Sequence, residues 1–598
     1  MTSAKPLFLV LFLLLSLAFK ACTPSASNNT SLSEKVKTRL VHQIDSLQHL
    51  VEHDLLYAAQ NGTDAEVKEA FHQSRNAYKT IEWFTEYYAP TASREINGPP
   101  LPEIEIEETK VMPPAGFQVI EELVFPALLG ENRPELVRET KSLLSSLKRT
   151  QRIAEEAEFT PAHLLDACKQ EIFRTQILGI SGFDTPLSQV GIQETAVALS
   201  SVQEVLSFLG ENAQLTKLFE KATAFLTASP SFNEFDRLAF ITRYANPITR
   251  EMVRWQQEMN IAPLENSLAL SPTATTLFDE KALNSNHFAG SLEAQATPAK
   301  IELGKALFFT PVASGGNRTC ASCHNPELAF TDGLPKSVAL TKGKFVQRNA
   351  PTLLYAGLQN AQFYDMRSPT LENQAMDVMA NKDEMHTPVE TVASQLNQKP
   401  ETVSAFKKAF PAIETEIKPR HVMIAIASYI RSLAPFSSRF DQYMRGDTTQ
   451  LNSHEIKGFN LFMGKAKCGT CHFMPLFNGT AGPSFANTEG EVLGVPAQAQ
   501  AKNPTIDPDL GRYAHNKIEE LKFAFKTPTL RNIAKTGPYM HNGAYRTLEE
   551  VLDFYNKGGG QGLGLSVENQ TLPADPLNLS QDEIKAIVAF LGTLTDKE

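Results

Sequence analysis

Two five-residue frames constrain this chain more than any other feature: Cys-Ala-Ser-Cys-His at 320–324 and Cys-Gly-Thr-Cys-His at 468–472. The chain has six cysteines, so most of them are committed to one repeated spacing. In C-x-x-C-H the two thiols can add across the vinyl groups of a haem while the adjoining histidine ligates its iron. Zinc would require further ligands, and these residues would make an unusual pair of incomplete zinc sites. A redox dithiol belongs beside a strand–helix–strand pattern, and none is legible here. The frames therefore predict two c-type haems. Cys320, Cys323, Cys468 and Cys471 are the expected thioether sites, and His324 and His472 the expected proximal iron ligands.

The remaining composition is that of an ordinary globular protein. At 598 residues the chain has room for roughly three or four domains. Hydrophobic residues make up 42% and charged residues 21%, so a packed core needs no disulfide framework. The net charge of −11 argues against a nucleic-acid surface and suits a basic protein partner. Near the N-terminus, Lys5 precedes the apolar run PLFLVLFLLLSLAF, followed by Ala21 and Cys22. A basic start, a short apolar stretch and a small residue describe an export signal over 1–22. It resembles a bacterial lipoprotein signal, which implies lipidation of Cys22; simple cleavage nearby is the alternative. No later stretch is apolar enough to span a membrane. Cys168, the one mature cysteine outside the frames, reads as a buried small hydrophobe in a helix.

Helical rhythm dominates residues 23–261, as in SEKVKTRLVHQIDSLQHLV, and predicts a bundle. At GFQVIE the bundle resembles the imelysin-like family, whose motif is G-x-H-x-x-E. Gly116 and Glu121 match, but Gln118 replaces the histidine, which puts a metal or substrate role there in doubt. The Ser/Thr/Ala-rich stretch 262–290 reads as a linker. The frames then fall in a first haem domain, 291–450, and a second, 451–598. The expected fold is mainly α: an N-terminal helical bundle followed by two c-type cytochrome domains. Thr547 with Glu550, and Ser580 with Glu583, form capping boxes. Behind them, Leu548, Val551, Leu552 and Tyr555 share one helix face, and Ile584, Ile587, Val588 and Leu591 another.

Residues 275–598 resemble the bacterial dihaem cytochrome c peroxidase and MauG family. The resemblance is carried by QRNAPTLLYAGLQNAQFYDMRSPTLENQAMDVMANKDEM, KTPTLRNIAKTGPYMHNGAYRTLEEVLDFYNKGG and LSQDEIKAIVAFLGTLT. It implies that Glu384 is the acid–base group of the peroxide pocket and that Gln374 assists it. The loop after the first frame holds no histidine; Leu340 or Thr341 falls about where some relatives carry a distal one. The first haem is thus expected to be open without prior reduction of the second. Tyr364 stands where the family usually has a tryptophan between the haems, and is either an electron relay or packing. Tyr555 occupies the sixth-ligand slot of haem 2, with Met540 as rival. Asn349, Thr536 and Pro538 match the family's calcium positions. The implied activity is reduction of hydrogen peroxide to water by electrons from a small exported cytochrome c or cupredoxin. The alternatives are a MauG-like oxidase acting on a partner protein or small molecule, and a dihaem electron carrier without an open site.

Overall fold

The computed structural model describes residues 31–597 apart from 106–109, 230, 265–268, 312–316 and 414–415, so the signal segment and Cys22 lie outside it. Its principal helices in the N-terminal part are α1 (Leu32–His49), α2 (Asp64–Lys79), α3 (Phe117–Val124), α4 (Arg133–Glu156), α5 (Pro161–Ile177), α6 (Gly191–Ser207), α7 (Ala213–Thr227) and α8 (Asn246–Glu258). Ser31 caps α1 by accepting from the Glu34 amide, and Val36, Leu40, Ile44 and Leu47 bury one face at three- and four-residue steps. A capping box of Thr63 and Glu66 starts α2. Strands β1 (Glu103–Glu105) and β2 (Lys110–Met112) form a small antiparallel ribbon. None of the described helices is long and apolar enough to cross a membrane.

The residues aligned with the imelysin-like motif hydrogen-bond within the bundle. The Gln118 amide donates to the Asn97 carbonyl at 3.0 Å. Glu121 accepts from the amide and hydroxyl of Ser188. Cys168 is fully buried, as its surroundings in sequence predict.

The C-terminal part repeats one design. In its first half α9 (Pro298–Phe308) crosses α11 (Pro419–Arg431), with α10 (Leu371–Ala380) alongside; in its second, α12 (Ser453–Met463) crosses α14 (Gln581–Gly592), with α13 (Leu548–Asn556) alongside. Each crossing needs a glycine. A Cβ on Gly304 would sit 1.8 Å from the Ala425 carbonyl oxygen, and one on Gly458 1.9 Å from that of Ala586. A second ribbon pairs β3 (Gly490–Val492) with β4 (Ala524–Lys526) in antiparallel register, Glu491 opposite Phe525. Both capping boxes foreseen in the sequence form, at Thr547 and Ser580. Ile584, Ile587 and Leu591 are buried along α14, whereas α13 buries Leu552 and Phe554 and leaves Tyr555 half-buried.

Hydrophobic packing groups these parts unevenly. The first haem unit has its own core, including Leu303, Leu307, Phe308, Val422 and Ile426. A single larger core joins the bundle to the second unit, from Val36 through Phe173 and Ile248 to Phe459 and Phe590. The stretch read as a linker is fastened into that core where it is described: Leu270, Leu277 and Phe278 are buried, and Phe278 packs edge-on against Phe440 at 5.6 Å. Its polar composition satisfies a local turn, in which Asp279 accepts from Thr275 and Thr276.

Gly458→Ala is expected to destabilise the second unit by roughly 1–3 kcal/mol, the usual cost of overpacking, read as a lower denaturation midpoint.

Candidate functional site

Both frames fold as a short 3₁₀ turn, Cys320–Ser322 and Cys468–Thr470, with the histidine amide returning to the first cysteine's carbonyl at 3.1 and 2.9 Å. Each imidazole is oriented by its Nδ1, which donates to the Phe330 carbonyl at 3.0 Å in the first unit and the Phe477 carbonyl at 3.1 Å in the second. A carbonyl only accepts, so the proton sits on Nδ1 and the lone pair on Nε2. Burial holds both rings below the ordinary histidine range, His472 down to about 4, so they stay neutral. The four thiols form no disulfide. Burial pushes Cys320 and Cys468 up to about 12 and raises Cys323 and Cys471 as well. Unpaired thiols at this spacing beside a neutral imidazole with a free Nε2 lone pair fit covalent haem attachment.

Two further segments complete the frames. The carbonyls of Pro351 and Pro528 also reach the imidazoles of His324 and His472. Both prolines begin a Pro-Thr-Leu run, at 351–353 and 528–530. The Thr352 hydroxyl donates to the Ala329 carbonyl at 2.6 Å, and the Thr529 hydroxyl to the Leu476 carbonyl at 2.8 Å. Each acceptor immediately precedes the phenylalanine that holds the histidine. The repeated Pro-Thr-Leu is the sequence signal that marks these supports.

Glu384 lies in the turn that follows α10. Its Oε1 accepts from the Asn381 amide at 2.9 Å, and its backbone carbonyl accepts from Arg318 at 3.2 Å. Arg318 also donates to the Val338 and Ala339 carbonyls, and the Leu340 amide donates to the Asp383 carbonyl. The turn is thereby tied to the chain entering the first frame and to the loop leaving it. Glu384 is half-buried, and burial raises its carboxyl against the pull of Arg367 and Asn381. It is close enough to Cys323 for its charge to oppose ionisation of that thiol. Gln374 is half-buried on α10.

Near the second frame, the Tyr555 phenol is raised above its usual range by burial and by Cys471, Cys468 and Glu491. The structure thus brings Tyr555 to the second pair of thiols. Met540, the rival, is half-buried in a neighbouring turn with a left-handed backbone at φ 70°. Between the units, the Tyr364 hydroxyl donates to Asn349 Oδ1 at 3.3 Å, and burial raises its phenol. Asn349 donates in turn to the Leu334 carbonyl through its side chain and to the His541 carbonyl through its backbone. The Thr536 hydroxyl donates to the Ile533 carbonyl, and Pro538 follows a cis bond from Gly537. A charged seam surrounds this point: Arg348 forks onto Asp509 at 2.6 and 2.9 Å and also holds Asp365, which Arg367 and His515 share. No spacing in the sequence announces that seam.

A family model described as di-haem cytochrome c peroxidase matches residues 298–449. The methylamine utilization protein MauG of Methylorubrum extorquens is 36% identical over 299 residues, 50% of this chain and 78% of that protein. The cytochrome c551 peroxidase of Nitrosomonas europaea is 34% identical over 49% of this chain and 79% of its own length, and that of Pseudomonas aeruginosa 31% over 56% and 89%. Among solved structures, a MauG-like protein associated with microbial copper homeostasis aligns at 27% identity and TM-score 0.44, covering 51% of this chain and 92% of that one.

Replacing Cys468 and Cys471 by Ala is expected to leave one covalent haem per chain, counted by mass and by the haem absorbance of the denatured protein; Cys320→Ala with Cys323→Ala removes the other. Thr529→Val strips a buried carbonyl of its partner and is expected to cost about 1–3 kcal/mol of stability.

Proposed function

This chain belongs to the family of dihaem cytochrome c peroxidases and MauG proteins, and on that footing we propose that it reduces hydrogen peroxide to water with electrons from a small exported cytochrome c or cupredoxin. It is an oxidoreductase carrying two c-type haems. Haem supplies an iron that binds peroxide and passes electrons singly. In this reading Cys320, Cys323 and His324 hold the peroxidatic haem, and Cys468, Cys471 and His472 the haem through which electrons enter.

One observation carries the proposal: Glu384 stands beside the first frame with its carboxylate aimed by Asn381 and its backbone by Arg318. Heterolysis of the O–O bond requires a proton to leave one oxygen and arrive on the other, which departs as water. Glu384 takes that proton and returns it, and Gln374 helps hold the substrate in place. Over the full cycle, two electrons and two protons convert one peroxide to two waters. Tyr364, whose hydroxyl donates to Asn349 Oδ1, stands between the two units as the electron relay. Asn349, Thr536 and Pro538 offer the oxygen ligands that suit calcium, which would fix the same seam. The resemblance of residues 1–22 to a lipoprotein export signal supports a periplasmic location with an anchor at Cys22.

A second reading is favoured by Tyr555. A phenolate at the second iron would stabilise the oxidised state, as suits a MauG-like enzyme that directs its oxidising power at a partner protein or small molecule.

Steady-state peroxide turnover with reduced cytochrome c tests the proposal. Glu384→Gln is expected to lower kcat by about 10²–10⁴-fold with haem content unchanged. As a base, Glu384 must be ionised, and its raised carboxyl predicts loss of activity as pH falls through a value above the ordinary glutamate range; the variant should lack this limb. Undiminished turnover by the variant would exclude the assigned role. Tyr555→Met is expected to raise the midpoint potential of haem 2, and an unchanged potential would remove Tyr555 from its coordination.

A further inference from the structure

The N-terminal bundle grips the second haem frame on both sides. After the frame, Phe183 packs edge-on against Phe473, the residue next to His472, at 5.7 Å. Further along the same loop, a Cβ on Gly482 would lie 2.7 Å from Ile177 Cδ1. Before the frame, the contact is made by Arg237. Its guanidinium lies so close to Gly464 that a Cβ there would sit 2.8 Å from Nη1. The Gly464 carbonyl accepts from the Lys467 amide at 2.8 Å in a tight turn, and Cys468 follows directly. Asn460 on α12 secures the approach, donating to Asp236 and accepting from the Leu238 amide.

Arg237 is an unusual cation. It is 0% exposed, yet its hydrogen bonds end on carbonyls: Nε on Ile180 at 2.8 Å, Nη1 on Phe235 at 3.1 Å and Nη2 on Phe232 at 2.8 Å. The Phe232 ring covers it, with its centroid 4.4 Å from the guanidinium carbon. The nearest acid in sequence, Asp236, is exposed and caps the Ala239 amide instead. Carbonyl dipoles satisfy the donors but leave the net charge in place, and a buried charge acts over a longer range than an exposed one. Reduction adds one negative charge to a haem, so a fixed cation nearby favours the reduced state.

We propose that the N-terminal bundle tunes the haem held by Cys468, Cys471 and His472, with Arg237 as the positioning charge that raises its midpoint potential and Phe183 as the wall that fixes its histidine. The bundle is therefore part of the electron-entry centre. This rests on assigning the second frame to that haem; it is separable from the peroxide reading because potentials are measured without peroxide.

The test is a spectroelectrochemical titration of the full-length dihaem protein, with the second haem identified as the one lost on replacing Cys468 and Cys471. Arg237→Gln removes the charge while retaining an amide that can donate to at most two of the three carbonyls; it is expected to lower that haem's potential and leave the other unchanged. A folded Arg237→Gln protein with both potentials unchanged would overturn the proposal. Phe183→Leu tests the wall without touching the guanidinium. A changed low-temperature EPR spectrum confined to the second haem is expected, and an unaltered one would refute the grip even if the Arg237→Gln variant failed to fold.

Discussion

Each haem unit is organised around one hydrogen bond, from the frame histidine's Nδ1 to a phenylalanine carbonyl. That bond fixes the tautomer, aims Nε2 and so determines where an iron can lie. The acceptors, Phe330 and Phe477, both adopt left-handed backbone, at φ 59° and 51°, which costs roughly 1–2 kcal/mol each. The surroundings offset that cost identically in the two units. A Pro-Thr-Leu threonine holds the preceding carbonyl. Two residues after its leucine, a backbone amide returns to the end of the closing helix, Tyr355 to Leu433 and Asn532 to Leu594. A glycine then lets that helix cross the one before the frame.

The two halves diverge where the chemistry differs. In the first, the loop after the frame is pinned to the Glu384 turn through Arg318 and Leu340, which keeps a carboxylate beside the first thiol pair. In the second, α13 delivers Tyr555 towards the thiols and the bundle closes over the frame. The halves are joined by a buried pair, Arg531 with Asp441, both fully buried and bonded at 2.8 and 3.0 Å. Arg531 also holds the Pro475 carbonyl beyond the second frame and lies over Tyr355 of the first unit. Removing one partner of such a pair leaves an uncompensated buried charge, so the relative placement of the haem units is strongly enforced.

What was legible in the sequence was local. Covalent attachment requires a fixed spacing, and helix caps require fixed residue types, so the frames and the boxes at Thr547 and Ser580 could be read directly. Glu384 is singled out only through resemblance, because a lone glutamate in a turn carries no signature of its own. Supports that act through backbone carbonyls, such as those of Phe330 and Phe477, were invisible, since any residue supplies a carbonyl. Arg237 was hidden for a related reason: its partners are carbonyls and a glycine remote in sequence. The stretch 262–290 misled because small polar residues serve a packed turn as readily as a flexible link.

The central claim, that the first haem keeps an open face towards Glu384 while the second is closed, is tested most directly by low-temperature EPR and optical spectra of the resting ferric protein before and after one equivalent of hydrogen peroxide. The account predicts one high-spin and one low-spin haem, with the high-spin signal lost on addition of peroxide. Two low-spin haems unmoved by peroxide would contradict it.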